Sequence, residues 1–441
     1  MFFIVFKEYS SIFSKQLHQK NMATTLNEPL LGYAKDDEEK DIASYLPNKH
    51  EVSFFRTCFN GINVILGIGI LSVPHALASG GWLSLALLFS IAGVAFYTGL
   101  LMKRCMDINS NITTYPDIGE LAFGKTGRLI VSTLMYTELY LISVGILILE
   151  GDNLSKLFPI GDFEVVGFSF SANNFFVILV ALIILPTVWL DNLSLLSYVS
   201  ASGVFASVII ILSILWTATF DGDGVHQKGD IVNWKGIPTA LNLYAFCFCA
   251  HPVFPTLYSS MRKKHQFSNV LILCFVLATV GYASMAIIGY SMFGSKVESQ
   301  VTLNLPLDKI SSKIAIYTTL VNPISKFALM VTPITNSLKD LLPKRYQNNR
   351  MSNIFVSAAL VISNVIVALC VPLFGSLMSL VGAFLSFTAS ILLPCLCYLK
   401  ISGTYRKLGF ETMTIVVIII MAITMAIYGT YTSIVEIVQN L

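Results

Sequence analysis

Eleven long apolar stretches constrain this chain more than any other feature of its sequence. They run over residues 54–79, 82–103, 128–150, 173–190, 194–219, 236–260, 268–293, 314–338, 352–371, 373–399 and 412–436. A helix of about 20 apolar residues crosses the ~30 Å hydrocarbon core of a bilayer, and a helix satisfies its own backbone groups there. The stretches predict an all-α membrane protein with eleven transmembrane helices, numbered span 1 to span 11 below. Between spans 2 and 3, residues 116–123 predict a short amphipathic helix.

The charged residues lie mostly between the spans. Only 12% of the residues are charged and 55% are hydrophobic, whereas soluble chains average about 25% charged residues. A net charge of +3 is too small to indicate a nucleic-acid partner, so we expect the lipid bilayer as the main surrounding. The mixed-charge run at residues 35–41 is typical of a disordered tail. We therefore divide the chain into a disordered cytosolic tail, residues 1–50, and a transmembrane domain, residues 51–441.

Lysine and arginine in the loops predict the orientation, because positive residues concentrate on the cytosolic side. With the N-terminus in the cytosol, the loops on that side hold fourteen of them: Lys103, Arg104, Lys125, Arg128, Arg262, Lys263, Lys264, Lys339, Lys344, Arg345, Arg350, Lys400, Arg406 and Lys407. The opposite loops hold six: Lys156, Lys228, Lys235, Lys296, Lys309 and Lys313. We therefore expect a cytosolic N-terminus and, with an odd number of spans, a C-terminus on the opposite side.

Spans 1 and 6 contain residues that interrupt a helix. Span 1 has Gly67, Gly69 and then Pro74, and span 6 has Pro252 and Pro255. Proline removes a backbone donor, and the carbonyl left unpaired is tolerated in a membrane only inside protein or beside a watery cavity. Glycine and proline are common in membrane helices, but these interruptions fall in the first helix of two five-helix halves. Interrupted helices at equivalent positions predict a transporter site at the interface of the halves.

The two breaks suit a ligand that carries both charges. Free N–H groups at a break suit a carboxylate, and free carbonyls suit an ammonium group or a cation. An α-amino acid presents both groups. We therefore predict these substrate-binding residues: Asn63, Leu66, Gly67, Ile68, Gly69, Phe246, Cys249 and His251. Within this set, we expect the backbone of residues 66–69 to bind the carboxylate and Asn63 to help fix the cavity.

Two ionisable residues lie near the middle of a span: Glu138 in span 3 and Lys326 in span 8. A lone charge at that depth costs ~3 kcal/mol or more, so such residues usually face a partner or a cavity. One interpretation is a structural ion pair between the two, and the other is that both take part in coupling. His251 lies in the second break and is a candidate for carrying a proton, whereas we expect His75 to be held by a free carbonyl beside Pro74.

A family resemblance rests on three groups of residues. These are Asn63, Gly67, Ile70, Leu71, Ser72 and Pro74 in span 1, residues 150–154 after span 3, and Asn322, Pro323 and Lys326 in span 8. The first group resembles the first-helix motif of the amino acid/auxin permease family. The other two resemble its plant vacuolar amino acid transporter branch. The resemblance covers residues 50–441 and excludes the tail.

The resemblance implies a LeuT-like fold, in which two inverted repeats of five helices are followed by one extra helix. It implies a secondary active transporter with an amino acid substrate and, commonly, a proton as the coupling ion. Lys326 would then place a positive charge where sodium-coupled relatives hold a cation. The vacuolar membrane is the expected location. The plasma membrane is the alternative, because residues 28–31 (EPLL) lack the spacing of an acidic dileucine signal for the vacuolar membrane.

Other classes of membrane protein fit the sequence less well. A channel would need a repeated filter sequence or a ring of acidic residues, and the sequence shows neither. The chain has no H-E-x-x-H, G-x-S-x-G or Walker motif, so we expect no enzyme, no nucleotide-driven pump and no cofactor or metal. An amino acid sensor on the same scaffold remains the alternative, because a sensor would retain the same substrate site.

Overall fold

The computed structural model describes residues 52–109, 111–161, 163–165, 168–189, 195–220, 229–347, 349–371, 373–406 and 409–440. The predicted tail over residues 1–50, with its sequence at 28–31, lies outside these ranges. Val52 pairs its backbone with the chain that follows span 6. Its N–H donates to the carbonyl of Ser260 at 2.9 Å, and its carbonyl accepts from Arg262 at 3.2 Å. The chain therefore enters the membrane domain beside the end of span 6.

Helices form all eleven spans. The first five are span 1, Phe54–Ile65 and Gly69–Gly80; span 2, Leu85–Ile108 after a 3₁₀ turn at Trp82–Ser84; span 3, Tyr115–Leu157; span 4, Ala172–Val188; and span 5, Leu195–Phe220. The next five are span 6, Ile237–Cys247, His251–Val253 and Phe254–Ser260; span 7, Phe267–Phe293; span 8, Ile310–Asp340; span 9, Arg350–Cys370; and span 10, Phe374–Leu380, Val381–Leu392 and Leu393–Ser402. Span 11 is Phe410–Asn440.

Short elements occupy the loops between the spans. Strands β1, Phe163–Val165, and β2, Phe168–Phe170, form an antiparallel hairpin after span 3. A one-turn helix, Lys344–Gln347, follows span 8, and 3₁₀ turns lie at Lys264–Gln266, Gly294–Lys296, Val301–Asn304 and Thr404–Arg406. The turns at residues 294–304 lie in the connection between spans 7 and 8.

The lengths of these helices match a membrane protein. Among the described residues, nine helices are long and apolar enough to cross a membrane, and the two halves of span 1 form a tenth as one bent span. Span 4 is an apolar helix of 17 residues. The predicted all-α membrane fold is therefore confirmed, and the helices agree with the eleven predicted spans. The broken spans are the first and the sixth, as the predicted five-plus-five arrangement requires.

The predicted amphipathic helix before span 3 is also confirmed. Thr114 caps it, because its side chain accepts from the backbone of Asp117 while the Asp117 carboxylate accepts from the Thr114 N–H. Pro116 occupies the first turn, where no intrahelical donor is needed. Gly124 has φ 67° and ψ −156°, a backbone conformation that glycine adopts at little cost. The helix therefore changes direction at Gly124 before it continues as span 3.

The two broken spans meet near the centre of the molecule. Spans 6 and 10 have 72% of their apolar segment buried inside the protein, against 22% for span 11. Glycines permit the closest approaches: a Cβ on Gly69 would lie 2.7 Å from Cys247 Sγ, and a Cβ on Gly382 would overlap the carbonyl oxygen of Asn242. Spans 1, 6 and 10 are thus in direct backbone contact, and the candidate site lies among them.

Candidate functional site

The break in span 1 covers residues 66–68 and is called break 1. The two helical halves that flank it are bent by 47°. The N–H groups of Leu66 and Gly67 donate at 2.7 Å to the carbonyls of Ile62 and Ile65. The N–H groups of Ile68 and Gly69 have no backbone acceptor among the described residues. Break 1 therefore presents two free donors at the positive end of the restarted helix, which favours an anion.

Lys326 occupies the carbonyl side of break 1. Its Nζ donates to the carbonyl of Asn63 at 3.1 Å and to that of Leu66 at 3.3 Å, and the residue is 6% exposed. In a continuous helix these carbonyls would accept from residues 67 and 70, but both N–H groups bond elsewhere. The ammonium group replaces the missing donors. The interpretation of Lys326 as the ion-pair partner of Glu138 is therefore wrong, because Lys326 binds backbone carbonyls.

Tyr282 of span 7 connects the two broken spans. Its hydroxyl lies within hydrogen-bonding distance of the carbonyl of Ile65 and is 3.1 Å from that of Cys247. Ile65 and Cys247 are the last residues of the first helical halves of spans 1 and 6. Sequence reasoning missed Tyr282, because one tyrosine in an apolar span is usually a packing residue; its only signal was a hydroxyl at mid-span depth.

The break in span 6 covers residues 248–250 and is called break 6. His251 follows it and is fully buried. Its Nε2 is 3.1 Å from the carbonyl of Ala95 and 3.0 Å from Thr98 Oγ1. A carbonyl only accepts, so Nε2 carries a proton and donates to span 2. In the neutral ring, Nδ1 is then an acceptor, and it has no partner among the described residues.

Glu138 lies beside break 6 rather than beside Lys326. It is 1% exposed, and its Oε1 accepts from Ser386 Oγ at 2.8 Å. Cys249 of break 6 lies next to this carboxyl group, and Oε2 has no hydrogen-bond partner among the described residues. Ser386 belongs to a π-helix, Val381–Leu392, an element found often at functional sites. Glu138 thereby joins span 3, break 6 and span 10.

The two glycines of the first break differ in their surroundings. A Cβ on Gly69 would lie 2.7 Å from Cys247 Sγ and 3.3 Å from Cys247 Cα. A Cβ on Gly67 would meet only the carbonyl oxygens of Val64 at 3.6 Å and Ile65 at 3.9 Å, which are ordinary contacts. Gly69 is therefore required for packing of span 1 on span 6, whereas Gly67 has space beside it.

The other predicted residues surround these features. Leu66 and Ile68 are buried in break 1, and Asn63 is 2% exposed with an unpartnered Oδ1. Phe246 is buried next to Gly382, where an added Cβ would lie 3.2 Å from Phe246 Cβ. His75 lies apart from both breaks.

A carbonyl does hold His75, but it is not one beside Pro74 as expected: His75 Nδ1 is 3.0 Å from the carbonyl of Val297, in the connection between spans 7 and 8. In the part of the chain that the structure describes, no group of three His, Cys, Asp or Glu residues is arranged to hold a metal ion.

Comparison with known proteins identifies clear relatives. Residues 50–435 match the family model described as transmembrane amino acid transporter protein. Amino acid transporter AVT1I of Arabidopsis thaliana is 57% identical over 388 residues, which cover 88% of this chain and 96% of that protein. Amino acid transporter AVT1J of the same plant is 55% identical over 413 residues, covering 93% of this chain and 97% of its own.

One solved structure is also similar in shape. It shows a Na⁺-coupled sialic acid symporter in a substrate-bound outward-open state, with 14% sequence identity and a TM-score of 0.49. The similarity covers 86% of this chain and 88% of that one.

Proposed function

Because this chain belongs to the transmembrane amino acid transporter family, we propose that it is a secondary active transporter that moves amino acids across a membrane in exchange for, or together with, protons. It is a multi-pass membrane protein of a transporter family, not an enzyme. The observation that supports the proposal is that the two breaks offer opposite kinds of hydrogen-bonding group. Break 1 offers free N–H donors, and the surroundings of break 6 offer free acceptors.

The substrate would lie between these two sets of groups. The N–H groups of Ile68 and Gly69 would receive the α-carboxylate, and the space beside Gly67 admits it. His251 Nδ1 and Glu138 Oε2 would accept from the α-ammonium group. Since Tyr282 reaches a carbonyl at the edge of each break, the breaks are close enough for one small zwitterion to contact both.

We propose the full predicted set of substrate-binding residues, because its members lie in or next to the two breaks. It comprises Asn63, Leu66, Gly67, Ile68, Gly69, Phe246, Cys249 and His251. Cys249 is the partly exposed member of break 6, between the buried Phe248 and Ala250, so a ligand can approach it. The backbone supplies the charge recognition, and the side chains shape the space around the ligand.

Coupling is proposed to run through Lys326 and Glu138. The Lys326 ammonium group binds two carbonyls of span 1 as a bound cation would, and its charge opposes the entry of sodium. Lysine, unlike arginine, can release a proton in a protein. Release would weaken the charge-assisted bonds that hold span 1 to span 8. Release of the Lys326 proton would then be linked to movement of the first half of span 1. Binding or release of a proton by Glu138 would act on break 6 in the same way.

The membrane and orientation belong to this proposal as well. The distribution of lysine and arginine supports a cytosolic N-terminus. The resemblance of residues 150–154 and of span 8 to the plant vacuolar branch supports the vacuolar membrane rather than the plasma membrane.

Uptake by vesicles containing the purified protein tests the proposal. We expect labelled amino acids to accumulate when a pH gradient is imposed, with or without sodium. Lys326→Arg keeps the positive charge but cannot release it, so accumulation should fall to the level of protein-free vesicles while exchange at equal pH continues. Lys339→Arg is the matched control, because Lys339 in the same span donates to Asn353 Oδ1 at 3.3 Å and belongs to neither break.

Two outcomes would contradict the proposal. Uptake that requires sodium and ignores a pH gradient would exclude proton coupling. Binding of amino acids without uptake or exchange under any gradient would instead identify the amino acid sensor on the same scaffold.

A further inference from the structure

Glu150 is a second buried carboxyl group on span 3, and the proposed mechanism does not use it. The residue is 0% exposed, and neither carboxyl oxygen has a hydrogen-bond partner among the described residues. Asp152, two residues further on, is different. Its Oδ1 accepts from Asn173 Nδ2 at 3.0 Å, and its Oδ2 accepts from Gln300 Nε2 at 2.7 Å. Asp152 is therefore held by the fold, whereas Glu150 is not.

No described charged group compensates Glu150. On its own helix the nearest titratable groups are Asp152, held by the two amides, and Lys156, whose Nζ donates to the carbonyls of Thr302 at 3.1 Å and Leu303 at 2.5 Å. Among the described residues, no charged side chain on the elements packed against span 3 forms a hydrogen bond or ion pair with the Glu150 carboxyl group. An unpaired buried carboxylate costs several kcal/mol, so such a group binds a proton instead of remaining charged. For stability alone, an apolar side chain of similar volume such as leucine would serve at least as well at this buried position.

The position of Glu150 places it between Glu138 and the end of span 3. The two glutamates are separated by about 18 Å along the helix, and Glu150 lies about 10 Å before its end at Leu157, at 1.5 Å per residue. With the predicted orientation, this end of span 3 faces the side opposite the cytosol. A proton that enters from that side would reach Glu150 before Glu138.

A cluster of polar residues lies between Glu150 and the end of span 3, and its member Asn153 is three residues after Glu150, on the same face of the helix. We call Asp152, Asn153, Asn173 and Gln300 the end cluster; Asn153 Nδ2 donates to Gln300 Oε1 at 2.6 Å, which completes the chain of bonds from Asp152. The Oδ1 atoms of Asn153 and Asn173 are buried and have no protein partner among the described residues. Buried polar atoms of this kind are met by ordered water. Asp152 is partly exposed, so the cluster reaches solvent.

We propose that Glu150 is a second proton-binding site of this transporter, loaded from the non-cytosolic side through the end cluster. A hydronium ion in the cluster gives a proton to a Glu150 carboxylate oxygen and becomes water; on release the proton passes to a water molecule and onward to the Glu138 carboxylate, which becomes a neutral carboxylic acid. No electrons are transferred. The inference rests on the proposed proton coupling and adds a titratable site that neither break contains.

Glu150→Gln tests the site, because glutamine has the same shape but cannot bind and release a proton. In vesicles we expect substrate exchange at equal pH to continue, while the number of protons moved per labelled amino acid, read with a trapped pH dye, falls below that of the unchanged protein. Glu298→Gln is the matched control: it makes the same change at an exposed carboxylate between spans 7 and 8, and the ratio should not change.

A chemical experiment on the unchanged protein decides the question if Glu150→Gln fails to fold. An apolar carbodiimide reacts with protonated carboxyl groups within the membrane, and peptide mass mapping locates the product. We expect modification of Glu150 to decline as the pH on the non-cytosolic side is raised, and to lower proton-driven accumulation.

The outcomes separate this inference from the proposed function. If the unchanged protein ignores a pH gradient, both fail. If it is driven by protons and Glu150→Gln keeps the full proton ratio, the Glu150 inference alone is overturned. An unmodified Glu150 in the carbodiimide experiment overturns it in the same way.

Discussion

The two breaks stand at equivalent places in the chain, yet they are stabilised by different chemistry. At break 1, groups from other spans donate to the carbonyls that the unwinding leaves free: the ammonium of Lys326 to Asn63 and Leu66, and the hydroxyl of Tyr282 to Ile65. At break 6, the same Tyr282 hydroxyl reaches the carbonyl of Cys247, and the chain adds its own anchor, because His251 donates to span 2. Break 1 is held by a charge and break 6 by bonds without an ionised partner.

This difference assigns the two breaks different parts in the proposed mechanism. At break 1 the carbonyls are already bonded, so the N–H groups are the ones left to bind a carboxylate. Beside break 6, His251 Nε2 is already bonded, so His251 Nδ1 and Glu138 Oε2 are the acceptors that remain. Among the described residues, Lys326 bonds to break 1 and not to break 6, whereas the titratable carboxyl group of Glu138 lies beside break 6. We therefore expect substitutions at break 1 to affect coupling and stability most.

Lys326→Met should have the largest effect, because it removes the ammonium group but keeps an unbranched side chain. The carbonyls of Asn63 and Leu66 lose their donor, at about 1–3 kcal/mol each, and proton-driven accumulation should disappear. Thermal unfolding of the purified protein and vesicle uptake measure the two effects. Lys339→Met in the same span should be nearly neutral. A Lys326→Met protein with normal stability and accumulation would show that break 1 does not depend on this charge.

Alanine at each glycine of break 1 should separate packing from binding. Gly69→Ala places a Cβ against Cys247, and overpacking of this kind costs about 1–3 kcal/mol. Gly67→Ala should fold normally but weaken substrate binding by about tenfold, equivalent to 1.4 kcal/mol, because its Cβ fills space beside the free N–H groups. Thermal unfolding and titration with a labelled amino acid give both values.

Cys247→Ala provides a rescue for the packing variant. Combined with Gly69→Ala it removes the Sγ atom in the way, so most of the lost stability should return. Equal stability losses at Gly67 and Gly69, or no rescue, would contradict the assignment of the two glycines.

Tyr282→Phe should have a smaller effect than Lys326→Met or the alanine substitutions at the glycines of break 1. It removes one hydroxyl shared by the carbonyls of Ile65 and Cys247, a net loss of about 1 kcal/mol, and leaves the ring in place. If the hydroxyl keeps the two breaks in register, the maximal transport rate should fall while proton dependence is unchanged. Tyr290→Phe in the same span, whose hydroxyl contacts the backbone of Asp230, is the control. A change in proton dependence would indicate that Tyr282 takes part in coupling.

Much of the fold followed from local properties of the sequence. The length of an apolar stretch and the presence of glycine or proline inside it act on the few residues around them. For this reason the spans, the breaks at spans 1 and 6, and the amphipathic helix that ends at Gly124 were predictable. The location of the candidate binding residues at the breaks followed from the same reasoning.

The partners of the buried side chains depended on the tertiary structure. Lys326 bonds to a carbonyl 263 residues away, and Glu138 accepts from Ser386, 248 residues away. The sequence offered each as the other's partner, since opposite charges attract at any separation in the chain. Which group a side chain meets depends on where helices cross and at what depth. The sequence did not reveal the roles of Tyr282 and Glu150 for the same reason. A tyrosine or glutamate in an apolar span gives the same sequence pattern whether or not its side chain is hydrogen-bonded. Only the packing of the other spans around it shows which case applies.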